Sequence, residues 1–172
     1  KGCDYIYGGG VFDGCFSVDP DAPNMIDRVY AIVSLHSAPK NILVIGLSSG
    51  SWVRALTYSN VFEKIDVVEI NHGYLDLIKK YPEHSKIFTD PRVTIHIDDG
   101  RRWLYRSKNK YDLILMNTTF HWRSYISNLV SSDFLKIIKS HLNPGGVVYY
   151  NTTNSEDIIY TAATIFKHVV RY

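Results

Sequence analysis

The sequence predicts an α/β domain on a mostly parallel sheet, preceded by a short β-hairpin. Three observations carry that expectation. Short runs rich in aliphatic and β-branched residues recur along the chain, segments with helical spacing lie between them, and glycines or acids stand where the runs end. The pattern is sharpest from Asn41 to Ile70, which reads strand, glycine turn, helix, strand, acid.

In the first 24 residues, Tyr5, Tyr7, Val11, Phe12 and Phe16 suit a hairpin. Turns are expected at Gly8 to Gly10 and at Asp13-Gly14, and Asp19 to Pro23 reads as loop. Met25 to Leu35 then has helical spacing, with Ile26, Val29, Tyr30, Ile32 and Val33 apolar, Asn24 as its N-cap and Pro39 beyond it. Ile42 to Ile45 is the first core strand and breaks at Gly46, with Gly50 following after Leu47, Ser48 and Ser49. A helix begins at Ser51, with Trp52, Val53 and Leu56 apolar, and Ile65 to Val68 is a second strand ending in Glu69.

Tyr74, Leu75, Leu77 and Ile78 describe a helix that stops near Tyr81-Pro82. Val93 to Ile97 is the third strand, closed by Asp98-Asp99-Gly100. Arg101 to Tyr105 reads as a short helix, burying Trp103 and Leu104 and leaving both arginines in water. Tyr111 to Met116 is the fourth strand, a nearly continuous apolar run of the kind a sheet covered on both faces needs. A polar and aromatic loop (Asn117 to Asn128), a helix (Phe134 to Leu142), a Pro144-Gly145-Gly146 turn and a fifth strand (Val147 to Tyr150) follow. Ser155 is placed to cap a last helix reaching about His168, and Val169-Val170 reads as the start of a further strand. We divide the chain into a hairpin and loop region, 1–24, and a nucleoside-binding domain, 25–172, that stops before the last strands of such a sheet.

Composition narrows the function. At 172 residues, 45% hydrophobic and 21% charged, the chain suits one globular domain. A net charge of +2 and the lack of a basic patch argue against nucleic acid. No apolar run approaches the roughly 20 residues a spanning helix needs. The chain opens on Lys1, so it is expected to be a piece of a longer protein, with a membrane region or another domain as the candidates for what lies upstream, and this piece in the cytoplasm. Cys3 and Cys15 could pair but form no disulfide framework, which makes a reducing compartment the default. The seven histidines lack ligand spacing, and no metal is expected.

Ligands of parallel α/β sheets bind beyond the carboxyl ends of the strands. The residues to weigh there are Gly46, Leu47, Ser48, Ser49 and Gly50 after the first strand, and Glu69 and Ile70 after the second. Asp98, Asp99 and Gly100 follow the third strand, and Asn117, Thr118 and Thr119 the fourth. Small residues let backbone N–H groups approach a ligand, and an acid about 20 residues on accepts ribose hydroxyls. An acid after the third strand can accept a hydrogen bond from an adenine amine. Glu69 and Asp99 would then hold the two ends of an adenosine.

On these stretches the chain resembles the spermidine synthase family, the polyamine aminopropyltransferases. V-I-G-L-S-S-G-S, V-V-E-I-N, D-P-R-V-T-I-H-I-D-D-G, K-Y-D-L-I-L-M-N-T-T and L-N-P-G-G-V-V fall in order over about residues 40–150. Phe12-Asp13-Gly14 also resembles the family's amino-terminal strand region. The resemblance implies the Rossmann-like fold of S-adenosylmethionine-dependent methyltransferases, and a dimer. It assigns Gly46 to Gly50 to the methionine portion of decarboxylated S-adenosylmethionine, Glu69 to the ribose, and Asp99 with Gly100 to the adenine.

Departures from the family pattern qualify the activity. The acid of the family's glycine loop is Ser49 here, and the acids after its fourth strand are replaced by Asn117-Thr118-Thr119-Phe120. The family's Tyr-His-Glu pattern has no counterpart around Arg28-Val29-Tyr30. A polyamine nitrogen must lose a proton before it attacks, and an amide cannot take that proton. No residue is therefore assigned as a catalytic acid or base. Thr118, Thr119, His121 and Tyr125 are the candidates to line the pocket for an amine acceptor, with His121 or Tyr125 as substitutes for the base. Three functions stay open: aminopropyl transfer, methyl transfer from intact S-adenosylmethionine, and nucleoside binding without catalysis.

Overall fold

The computed structural model describes residues 2–117, 125–152 and 154–171. Strands β1 (Tyr5–Gly8) and β2 (Val11–Cys15) form an antiparallel hairpin, and Cys3 is disulfide-bonded to Cys15. Helix α1 (Asp27–Ile32) continues as a 3-10 turn, Val33–Leu35, and leads into β3 (Asn41–Ile45). Then come α2 (Ser51–Thr57), β4 (Lys64–Glu69), α3 (Gly73–Ile78), α4 (Pro82–Ser85), β5 (Val93–Ile97), α5 (Gly100–Arg106) and β6 (Tyr111–Met116). The chain closes with α6 (Ser132–Ser140), β7 (Leu142–Tyr150) and α7 (Glu156–Ile165). The five later strands form one parallel sheet in the order β5-β4-β3-β6-β7.

The alternation of side chains along a strand builds two apolar layers. Ile42, Val44, Ile65, Val67, Leu113 and Leu115 face α1, α2, α3 and Ile87. Leu43, Ile45, Val68, Ile114 and Met116 face α5, α6 and α7. Every residue of β6 is buried, including Asp112. Its carboxylate accepts from the Lys40 and Asn41 N–H groups (2.8 and 2.9 Å) and from Asn143 Nδ2 (2.7 Å). One acid thereby fastens the starts of three neighbouring strands.

The α/β sheet and the hairpin stand as the sequence predicts, while several local readings change. Asp13-Gly14 is no turn: it lies inside β2, where the pairing jumps from Ile6↔Gly14 to Tyr7↔Phe12 and leaves Asp13 as the extra residue of a bulge. Asn24 does not cap α1, because its amide donates to the Cys15 and Ser17 carbonyls (3.1 and 3.0 Å). Trp103 is half-buried, and Arg102, exposed as expected, also pairs with Asp98. Pro144-Gly145-Gly146 lies within β7 as an irregularity in its pairing with β6. The last helix ends at Ile165, and Val169-Val170 extends no strand. The pairing of Cys3 with Cys15 removes the ground for expecting a reducing compartment. No described helix is long and apolar enough to cross a membrane.

The hairpin is docked on the sheet body through a buried polar knot. Ser51 Oγ donates to the Cys15 carbonyl (2.7 Å) and lies 2.8 Å from Ser49 Oγ and 3.0 Å from His84 Nε2. Phe16 stacks on Tyr81 with ring centres 3.4 Å apart. Burial holds the His84 imidazole below its ordinary pKa, so the fold favours the neutral ring. Its contribution to stability is therefore present above about pH 6.5 and is lost as pH falls below that value. Urea midpoints should drop between pH 7 and pH 5, and His84→Gln should flatten that part of the profile.

Candidate functional site

Parallel register brings the ends of all five strands to one edge. The order of the sheet reverses between β3 and β6, which opens a crevice where the two connections part. Backbone bonds tie the strand tips: Gly46 N–H to Val68 O (2.8 Å), Asp98 N–H to Glu69 O (3.0 Å) and Asn117 N–H to Ile45 O (2.9 Å). Gly46 to Gly50, Glu69 with Ile70, Asp98 to Gly100 and Asn117 therefore share one rim. Thr118, Thr119 and His121 lie outside the described residues. Tyr125 is exposed, with φ at 68°, and opens the turn that leads to α6.

Glu69 is the central group of the rim. Although it ends a strand, its side chain is only 4% exposed. One carboxylate oxygen accepts from Leu47 N–H (2.7 Å) and the other from Asn71 N–H (2.7 Å). It thus clasps the glycine turn from below. Burial pushes its pKa up, and the Asp13 charge adds to this against the N–H bonds from Leu47, Asn71 and Ser48. Its favourable contribution is consequently largest below the ordinary carboxylate pKa and shrinks as pH rises through the raised one.

The acids after β5 have separate tasks. Asp99 caps α5 by accepting from Arg102 N–H (2.8 Å). Asp98 accepts from Asp99 N–H (2.7 Å) and pairs with the Arg102 guanidinium. Burial would raise the Asp98 pKa, yet Arg102 and that N–H outweigh it and hold the carboxyl below its usual range. Gly100 is set by packing: a methyl group there would sit 2.7 Å from Cγ2 of Ile45, a core side chain.

The hairpin forms the front of the site. Its bulge turns Asp13 toward the glycine turn, where Ser48 Oγ donates to the Asp13 carbonyl and Tyr74 OH donates to its carboxylate. Gly14, with φ at 135°, lets the two chains touch, since a Cβ there would lie 2.8 Å from Ser48 Oγ. Ser48 itself takes a left-handed φ of 52°, which a serine adopts at a cost of about 1–3 kcal/mol.

Between hairpin and rim runs a cleft of about 550 Å³, its open mouth included. Ser48, Ser49 and Asn117 line it from the sheet, Asp13 from the hairpin, and Asn24 and Arg28 from the start of α1. Among the described residues, the charged ones that line it are Asp13 and Arg28. Sequence reasoning placed Ser48, Ser49 and Asn117 at such a cleft and missed the other three. Asp13 carried a signal in the Phe12-Asp13-Gly14 resemblance, while Asn24 and Arg28 carried none.

With this geometry in view, comparison with known proteins assigns the family. Residues 28–171 match the spermine/spermidine synthase domain. The chain belongs to the spermine/spermidine synthase family. Spermine synthase of Arabidopsis thaliana is 34% identical over 142 residues, which is 77% of this chain and 39% of that protein. The chain therefore spans about two-fifths of that relative's length. Among solved structures, a spermidine synthase in complex with the transition-state analogue AdoDATO superposes with a TM-score of 0.80 at 20% identity, covering 95% of this chain and 58% of the other. Human methyltransferase-like protein 13 in complex with SAH gives 0.67 at 20% identity, covering 84% and 74%. Both likenesses confirm the α/β fold that the family shares with methyltransferases.

In this member the rim depends on Glu69 and Gly100 even without a ligand. Glu69→Ala leaves two N–H groups without their acceptor and should cost about 1–3 kcal/mol in urea unfolding. Gly100→Ala should cost about 1–3 kcal/mol through overpacking against Ile45.

Proposed function

We propose that this chain is a nucleoside-binding transferase domain that takes an S-adenosylmethionine-type donor at its rim. The observation that carries this reading is Glu69, a carboxylate at the tip of β4 tied to the turn after β3. An acid so placed can accept ribose hydroxyls with the lone pairs its backbone partners leave unused. Asp98, Asp99 and Gly100 stand on the neighbouring tip, where the adenine is expected. The methionine portion then runs past Ser48 and Ser49 into the cleft, toward an amine acceptor beside Asn117. No residue of the chain is required to hold a metal in this scheme.

Two reactions fit this frame. Aminopropyl transfer from the decarboxylated donor is supported by family membership and needs a base other than Asn117. Methyl transfer from the intact donor is favoured by the amide at Asn117 and by Ser49 in place of the glycine-loop acid. Both need an amine that has lost its proton, help worth roughly 10²–10⁴-fold when a side chain supplies it.

The reading is tested by titrating the protein with methylthioadenosine in a calorimeter. Saturable binding is expected, and Glu69→Gln should weaken it about 10- to 100-fold, the range of one hydrogen bond to a charged group. Absence of binding by the folded protein would overturn the proposal.

A further inference from the structure

Among the described residues the cleft is lined by two opposite charges, and one of them is unexplained by the fold. Asp13 projects from the hairpin bulge, and Arg28 lines the same cleft from α1. The Arg28 side chain is half-buried and has no hydrogen bond or ion pair with a described residue. A guanidinium beside a substrate cleft repels a diamine, which is a polycation at neutral pH. The same group is well suited to a carboxylate, which it can engage through two parallel N–H bonds.

Resting on the nucleoside reading above, we propose that Arg28 is a specificity-determining residue that binds the α-carboxylate of intact S-adenosylmethionine. Decarboxylated S-adenosylmethionine differs from the intact donor by that one group, so a cation here selects between them. Asp13, from the hairpin, would face the donor's ammonium, and the two side chains together complement an amino-acid end. Ser48 and Ser49, in the turn that Glu69 holds through Leu47 N–H, line the same cleft as Arg28, and a methionine portion that starts from a ribose at Glu69 would pass them. Neutral Ser49 and Asn117 add no negative charge against a carboxylate.

The test compares four ligands by calorimetry: intact S-adenosylmethionine, its decarboxylated form, S-adenosylhomocysteine and methylthioadenosine. The wild-type protein is expected to bind the intact donor about 10- to 100-fold more tightly than the decarboxylated one, the range of a charge-assisted hydrogen bond. Arg28→Gln should abolish that preference and weaken S-adenosylhomocysteine, leaving methylthioadenosine unchanged, and Arg28→Lys should restore part of it. Equal or tighter binding of the decarboxylated donor by the wild-type protein overturns the proposal, whatever the variants do. An intact-donor preference that survives Arg28→Gln overturns it as well. Methylthioadenosine separates the two readings: if it binds while the carboxylate makes no difference, Arg28 loses this role and the nucleoside site stands. If none of the four binds, both readings fall.

Discussion

A carboxylate withheld from water holds the working edge of this molecule together. Glu69 ends β4, yet it is turned inward to accept the Leu47 and Asn71 N–H groups. Those groups belong to the turn after β3 and to the start of the connection after β4. Backbone N–H groups in tight turns must find acceptors, and few side chains reach two turns at once. Burying the charge is costly, as its raised pKa shows. The hydrogen bonds offset part of that cost and hold the turn in its shape. Preorganisation of this kind lowers what binding must later supply.

Around that clasp the molecule separates two tasks. The sheet supplies the strand tips and the glycine turn at which the nucleoside is proposed to bind. The hairpin and the start of α1 set the charge of the cleft, through Asp13 and Arg28. The acids of the family pattern are replaced at Ser49 and Asn117, and among the described lining residues the one carboxylate is accompanied by one guanidinium. The fold is thus retained where the electrostatics have changed, as expected when function resides in a site grafted on a scaffold.

The sheet was legible in the sequence because burial on both faces leaves strands such as Tyr111 to Met116 almost wholly apolar. Glu69 and the glycine turn were legible because strand, turn and acid follow one another at a fixed distance. Asp13-Gly14 was misread because a bulge and a hairpin turn call on the same residue pair, and only the register distinguishes them. Asn24 looked like a helix cap by type, but long-range carbonyls of Cys15 and Ser17 claimed its amide. Arg28 gave no signal, since an arginine on a short helix reads as a solvated side chain until the rest of the cleft is in place. The part of the site made by contacts distant in sequence was the part a linear reading could not reach.

The bulge at Asp13 has a wider consequence for how such a protein diversifies. The front wall of the cleft belongs to a disulfide-tied ribbon outside the parallel sheet, joined to it by Ser48, Ser51 and Tyr74. A boundary drawn at residue 24 would part the cleft's front wall from the strand tips behind it. Conversely, changes confined to the ribbon can retune what enters the cleft while the grip beneath it stays as it was. Selectivity and anchorage can then evolve at different rates within one small domain.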